Sequence, residues 1–251
     1  MYHQFKELAN IDITKEPMEV GPTTHYIMGG IRVNSDTQES TVTGLFAAGE
    51  CAAGINGANR LGGNSLSDLL VFGKRAGEHA AVYARAQASA PKIDDGAVAT
   101  AAKAVLEPFE RGRAQSEGPY KIQHDLQAMM QDLVGIVRTE SEMREALTGL
   151  TSLRERAETV GVIGNREYNN GWHTAIDLGN LLTISEAITL SALERKESRG
   201  GHFREDYPDK AAEFAKLNVA VRQRADGTMQ VDRVPLKPLP PELQQIIEDM
   251  K

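Results

Sequence analysis

Arg60, His25 and Glu50 are the side chains of this 251-residue sequence best placed to do chemistry. Arg60 lies in the loop from Ala52 to Gly63, which holds four glycines and two asparagines. An arginine there can present its planar fork to a carboxylate, or it can be a solvated surface arginine. Glu50 ends the apolar run "GLFAAGE". It can accept hydrogen bonds from ligand hydroxyls, or be a plain acid at a strand end. His25 opens "HYIMGG" and can donate to an anion, or serve only in packing. Immediately after the loop, "GGNSLSD" joins a glycine pair to a helix start. A helix start carries unpaired N–H groups and a partial positive charge. Glycines let a ligand approach the backbone. Gly63, Asn64, Ser65 and Leu66 therefore favour an anionic or electron-rich ligand atom, although a capped strand–loop–helix crossover would have the same sequence pattern.

Those residues need elements to hold them. Residues 1–10 read as a short helix, and the stretch to Gly30 is turn-rich. "IRVN" alternates as a strand does, and residues 44–50 read as a buried parallel strand. A helix is expected from Ser65, with Ser65 and Asp68 at capping-box spacing. Leu66, Leu69, Leu70, Gly73, Ala76, Gly77 and Ala80 share one face of it. Gly73 and Gly77 each cost about 1 kcal/mol against alanine inside a helix, so close packing against a sheet or ligand is expected there. The polar stretch 88–96 is a linker. Helical patterns then cover about 97–112, 119–137, 140–160 and 173–197, the third opened by a Thr139–Glu142 capping box. Short joints between them predict a bundle, with Met129 and Met130 in its core. After a charged Gly-Gly loop (197–208), a hairpin with a type I′ turn at Asp226–Gly227, a Pro-rich segment and a terminal helix follow. The fold class is α+β and mostly helical. The expected division is 1–88, a glycine-rich α/β region; 89–208, a helical bundle; and 209–251, a hairpin and tail.

Bulk properties narrow the function. The net charge of −7 argues against general affinity for nucleic acid or anionic lipid. No apolar run approaches the roughly 18–20 residues of a membrane span. A lone cysteine, Cys51, allows no internal disulfide and no multi-cysteine metal site, so no metal ligands are assigned and a cytoplasmic setting is expected. The sequence has no G-x-G-x-x-G, G-x-S-x-G, H-E-x-x-H or Walker loop.

Over residues 1 to about 208, "HYIMGG", "GLFAAGECAAGINGANRLGGNSLSDLLVFGKRAG" and "GNLLTISEAITLSALERKESRGGHFREDYP" closely resemble the flavoprotein subunit of succinate dehydrogenase and fumarate reductase. The resemblance implies FAD and a hydride exchanged between it and succinate or fumarate, a step of the tricarboxylic acid cycle and of electron transport, and makes residues 1–88 the C-terminal part of a capping and FAD-binding α/β region. It implies that His25 and Arg60 bind substrate carboxylates and that Glu50 holds the ribityl hydroxyls of FAD. Gly63, Asn64, Ser65 and Leu66 would meet the flavin. It also implies an iron–sulfur subunit and membrane anchor subunits as partners, with the assembly peripheral on the inner face of the cell membrane. The family's N-terminal features do not match here: the dinucleotide fingerprint, the histidine that often links FAD, a Thr-Glu pair and a proton-shuttling arginine. The chain therefore reads as a C-terminal fragment with no catalytic residue of its own, inactive alone, binding FAD weakly or not at all, and prone to self-association. Two alternatives remain: an L-aspartate oxidase or soluble fumarate reductase relative, or a non-catalytic fragment that docks an iron–sulfur subunit.

Overall fold

The computed structural model describes residues 2–19, 21, 25–112 and 117–250. Seven helices and two two-stranded sheets are found among them, so the chain is mostly helical α+β. Val20 and Pro22–Thr24, within the turn-rich stretch, lie outside the described residues.

Helix α1 covers Tyr2–Ala9 and α2 covers Asn64–Ala86. Between them the expected strands are reduced to isolated bridges. Ile31 pairs in parallel with Ala52, whereas Val33 pairs antiparallel with Ser40 and Glu39 antiparallel with Phe46. The run expected as a buried strand over 44–50 instead ends in a 3₁₀ turn, Gly49–Cys51. A strand needs a partner with continuous pairing, and among the described residues none runs beside this segment for more than one bridge. Helix α2 also departs from expectation. Its N-cap is Gly63 at φ +83°, with no side-chain cap, so the Ser65–Asp68 box does not form. A left-handed N-cap is open to glycine without a Cβ penalty, and it starts the helix one residue earlier than expected. Gly73 and Gly77 face open space rather than a close-packed neighbour. Leu66, Leu69, Leu70 and Val71 are exposed along this helix, a larger apolar surface than a helix of a closed core leaves bare.

The bundle follows expectation more closely. Helices α3 (Asp95–Arg111), α4 (Pro119–Leu133), α5 (Glu140–Glu158) and α6 (Asn170–Glu194) match the four helical patterns. The linker is shorter than expected, because Asp94 caps α3 through Gly96 N. Helix α4 stops at Leu133, and Val137–Arg138 becomes strand β1, parallel to β2 (Phe203–Arg204). The Thr139–Glu142 capping box forms with both of its hydrogen bonds. Helices α4, α5 and α6 pack on one another around Ile122, Leu126, Leu150, Leu153, Leu178 and Leu182, with Met129 and Met130 partly buried at the edge. By length and composition, α6 is apolar enough to cross a bilayer (mean hydropathy 1.2), which the sequence reading did not foresee. Leu178 and Leu182 are each 1% exposed, so this helix supplies the bundle core. Truncating Leu182 to alanine is expected to lower unfolding free energy by about 2–5 kcal/mol, measurable by urea denaturation.

Strands β3 (Leu217–Gln223) and β4 (Met229–Pro235) form the expected antiparallel hairpin. Its turn is not type I′. Asp226 is absent from the positive-φ residues and only Gly227 is left-handed, at +85°. Gly227 N donates to Arg224 O and Arg224 N to Thr228 O, so three residues close the loop, with a glycine bulge. Helix α7 (Pro241–Asp249) ends the described chain.

Candidate functional site

The loop 52–63, the "HYIMGG" segment and the start of α2 meet in one place. Ile31 N donates to Cys51 O at 2.7 Å and Ala53 N to Ile31 O at 2.9 Å, which locks residues 27–33 against 50–53. Glu50, exposed, accepts from Ile27 N at 3.0 Å through Oε1. Asn64 N closes the glycine turn on Leu61 O at 3.2 Å. Gly63, Asn64 and Leu66 are exposed at the helix start, with Ser65 half-buried. The first-turn N–H groups of α2 have no side-chain cap, so the donors the sequence pointed to are present.

Arg60 is half-buried. Its guanidinium carbon sits 4.5 Å from the centre of the Tyr26 ring, and Nη1 donates to Leu61 O at 3.3 Å. Its Nε is buried without a hydrogen-bond partner. His25 is exposed, and the residue stacked on Arg60 is its neighbour Tyr26. The structure therefore places Arg60 on Tyr26 and on Leu61 of the turn before α2, and Glu50 on Ile27 of the same segment; His25 is exposed and precedes Tyr26 in the chain.

Sequence reasoning missed three residues here. Tyr26 donates to Asp68 Oδ2 at 3.4 Å, and Asn56 Nδ2 donates to the Tyr26 hydroxyl at 3.4 Å. Asp68 is 4% exposed, and its Oδ1 has no hydrogen-bond partner. Burial pushes the Tyr26 hydroxyl above the ordinary phenol range, and the Asp68 and Glu50 carboxylates add to this, so it is a proton donor at neutral pH. Asn56, Asn64, Ser67, Asp68, Val71 and Phe72 help line a cavity of about 240 Å³ beside this network. An aspartate among leucines on a helix was the available signal, but the capping-box reading had absorbed it.

The bundle reaches this loop. Gly201 N donates to Ala58 O at 2.9 Å. Gly200 is left-handed at φ +60°, and a Cβ placed on it would lie 2.2 Å from Ala58 O. The Gly-Gly turn hangs from a buried ionic cluster. Glu197, fully buried, receives a two-point bond from Arg199 (2.8 and 2.9 Å), a third from Arg195 at 3.2 Å and the Ala211 N–H at 2.8 Å. Arg204, also fully buried, donates to Asp206 and to the α6 carbonyls of Ala192 and Leu193. It thereby satisfies helix-end acceptors that would otherwise be orphaned.

His202 sits in this cluster. Nε2–H donates to Arg195 O at 3.0 Å, and Nδ1 accepts from Arg138 Nη1 at 3.0 Å. Burial pushes its pKa below the ordinary histidine range; the arginines Arg138, Arg195 and Arg204 add to that, and the Arg195 carbonyl opposes it. The unfolded chain binds this proton more readily than the folded one. The stability it contributes is thus complete above about pH 6.5 and is lost as pH falls from there through the lowered folded value. Thermal melts between pH 7.5 and 5 are expected to show this loss. His202→Gln keeps one acceptor and one donor but cannot titrate, so it should flatten that part of the profile.

The chain matches the family model described as fumarate reductase flavoprotein C-term over residues 123–246, and an FAD binding domain model over residues 1–66. It is 38% identical over 247 residues to the succinate dehydrogenase flavoprotein subunit of Coxiella burnetii, covering 93% of this chain and 41% of that protein. It is 35% identical over 237 residues to the fumarate reductase flavoprotein subunit of Mycobacterium tuberculosis, covering 92% and 40%. The structure of Mycobacterium smegmatis Sdh1 in complex with UQ1 superposes with a TM-score of 0.91 at 49% identity, covering 99% of this chain and 42% of that one. The chain spans about two fifths of the length of the curated relatives it matches. With matches to both models and to these subunits along nearly its whole length, the chain belongs to the succinate dehydrogenase and fumarate reductase flavoprotein family.

Proposed function

We propose that this chain forms part of an FAD-dependent oxidoreductase that interconverts succinate and fumarate, in which Arg60 and His25 bind the dicarboxylate. The observation that carries the reading is Arg60. Its guanidinium face is held on the Tyr26 ring, while among the described residues its one hydrogen bond is from Nη1 to Leu61 O. A fork held by its face leaves edge donors for a carboxylate. His25 lies one residue before that ring and supplies a second donor.

The residues present suit the flavin. The α2 start is uncapped and glycine-flanked, and Glu50 uses one carboxylate oxygen on Ile27, leaving the other for ribityl hydroxyls. Ser65 and Leu66 would hold the flavin ring by backbone donors, with Gly63 and Asn64 in the turn beside it, and the helix dipole favours negative charge there. When bound, FAD supplies the hydride acceptor or donor. The exposed α2 face with Gly73 and Gly77 is read as the seat of the rest of an FAD-binding domain, with residues 1–88 its end, 89–208 the bundle and 209–251 the tail. Residues 1–66 matching an FAD binding domain model support this. Several relatives are named subunits, which supports an assembly in which an iron–sulfur subunit meets the bundle and anchor subunits hold the complex on the cytoplasmic face of the membrane.

Succinate added anaerobically to the flavin-loaded protein carrying this sequence tests the proposal. Bleaching of the flavin absorbance, reversed by fumarate, is expected. A flavin that succinate leaves oxidised while aspartate reduces it would transfer the chain to the aspartate oxidase reading.

A further inference from the structure

The geometry points to Tyr26 and Asp68 as a positioning pair that sets the orientation of the Arg60 fork, and so the affinity of the site for dicarboxylates. This rests on the reading of Arg60 as a carboxylate ligand. Arginine has several rotatable bonds, and a fork that wanders loses binding free energy each time it must be ordered. Here the guanidinium lies 4.5 Å from the Tyr26 ring centre, within cation–π range. The ring is in turn held at its far end. Its hydroxyl donates to Asp68 Oδ2 at 3.4 Å and accepts from Asn56 Nδ2 at 3.4 Å. Asp68 is fixed by α2, the helix whose first turn follows the same loop, so the ring is tied to that helix and the fork to the ring.

The second observation is the pair of buried, unpartnered polar atoms, Arg60 Nε and Asp68 Oδ1. Neither is drawn into a direct salt bridge with the other. A direct Arg60–Asp68 pair would neutralise the fork and compete with an incoming carboxylate. Tyr26 stands between them as a spacer, holding the guanidinium through its face rather than its N–H edge. Nη2, neither buried like Nε nor bonded like Nη1, stays available to substrate.

The test uses the flavin-loaded protein carrying this sequence, with malonate as a dicarboxylate that cannot be oxidised. Malonate Kd is read by calorimetry, and succinate KM and kcat by dye reduction. Tyr26→Leu removes ring and hydroxyl and should raise malonate Kd and succinate KM by about tenfold, with a much smaller fall in kcat. Tyr26→Phe keeps the ring and should recover most of that loss. Asp68→Ala should raise Kd by about threefold with Tyr26 present and change it little in the Tyr26→Phe background, because the hydroxyl link is then already gone. Equal Kd for Tyr26→Leu and Tyr26→Phe, or an Asp68→Ala effect that is the same in both backgrounds, would overturn the positioning role. The second comparison stands even where Tyr26→Leu does not fold. Arg60→Lys separates the two layers. If it leaves malonate Kd unchanged, the dicarboxylate reading fails; if it weakens binding while the Tyr26 and Asp68 variants do not, only the positioning proposal fails.

Discussion

Replacing Arg60 with alanine is expected to lower kcat/KM for succinate by about a thousand-fold, close to 4 kcal/mol of lost binding to the transition state. The size follows from what is removed. A fork with one N–H committed to Leu61 O and its face committed to Tyr26 offers its edge to a carboxylate. Charge-assisted bonds of that kind are each worth about 1.5–3 kcal/mol. Arg60→Lys keeps the charge but loses both the planar stack and the two-point geometry, and an intermediate loss of about ten- to a hundred-fold is expected. Steady-state kinetics checks both. Flavin content should remain that of the parent protein, since Arg60 is not assigned to the cofactor. A loss of flavin together with activity would instead make Arg60 a cofactor residue.

The second large effect is expected far from Arg60 in sequence. Gly200→Ala should destabilise the docking of the 197–208 loop on the Ala58–Arg60 segment by about 2–4 kcal/mol. Two penalties combine. The left-handed φ of +60° disfavours any Cβ, and that Cβ would stand 2.2 Å from Ala58 O. Ala58 is two residues from Arg60, so the fork should move with it, and succinate KM should rise alongside the fall in melting temperature. Gly227→Ala provides the comparison. It sits at φ +85° with nothing within 4 Å of the added Cβ. That variant should carry only the backbone strain, about 1 kcal/mol, and leave KM unchanged. Equal effects of the two variants on KM would show that the Gly200 contact does not support the site.

The bundle was legible because its signals are local. Thr139 and Glu142 announced the start of α5, and the 3.6-residue spacing of Ile122, Leu126 and their neighbours placed the buried faces. The hairpin was legible in its alternation, but its turn type was not. Asp-Gly suits both a two-residue type I′ turn and a three-residue loop with a glycine bulge, and only strand register decides between them. The 44–50 segment was misread because a short apolar run fits several conformations until partner strands are known. Arg60, Glu50 and the α2 start were visible from residue type and glycine spacing. Tyr26 and Asp68 were not, because their pairing spans 42 positions and leaves no periodic trace. Arg204 and Glu197 lie in the charged loop "ERKESRGGHFRED", whose sequence does not mark them out, yet both are fully buried. Only their mutual arrangement with Asp206, Arg199 and the α6 carbonyls makes that burial tolerable.

The most direct test of the dicarboxylate site is a crystal structure of the flavin-loaded protein carrying this sequence with malonate bound. One malonate carboxylate is expected on the Arg60 edge nitrogens, with the Tyr26 ring still beneath the guanidinium and His25 donating to the ligand. Malonate bound elsewhere, with Arg60 turned away to another partner, would contradict the assignment of this loop as the substrate site.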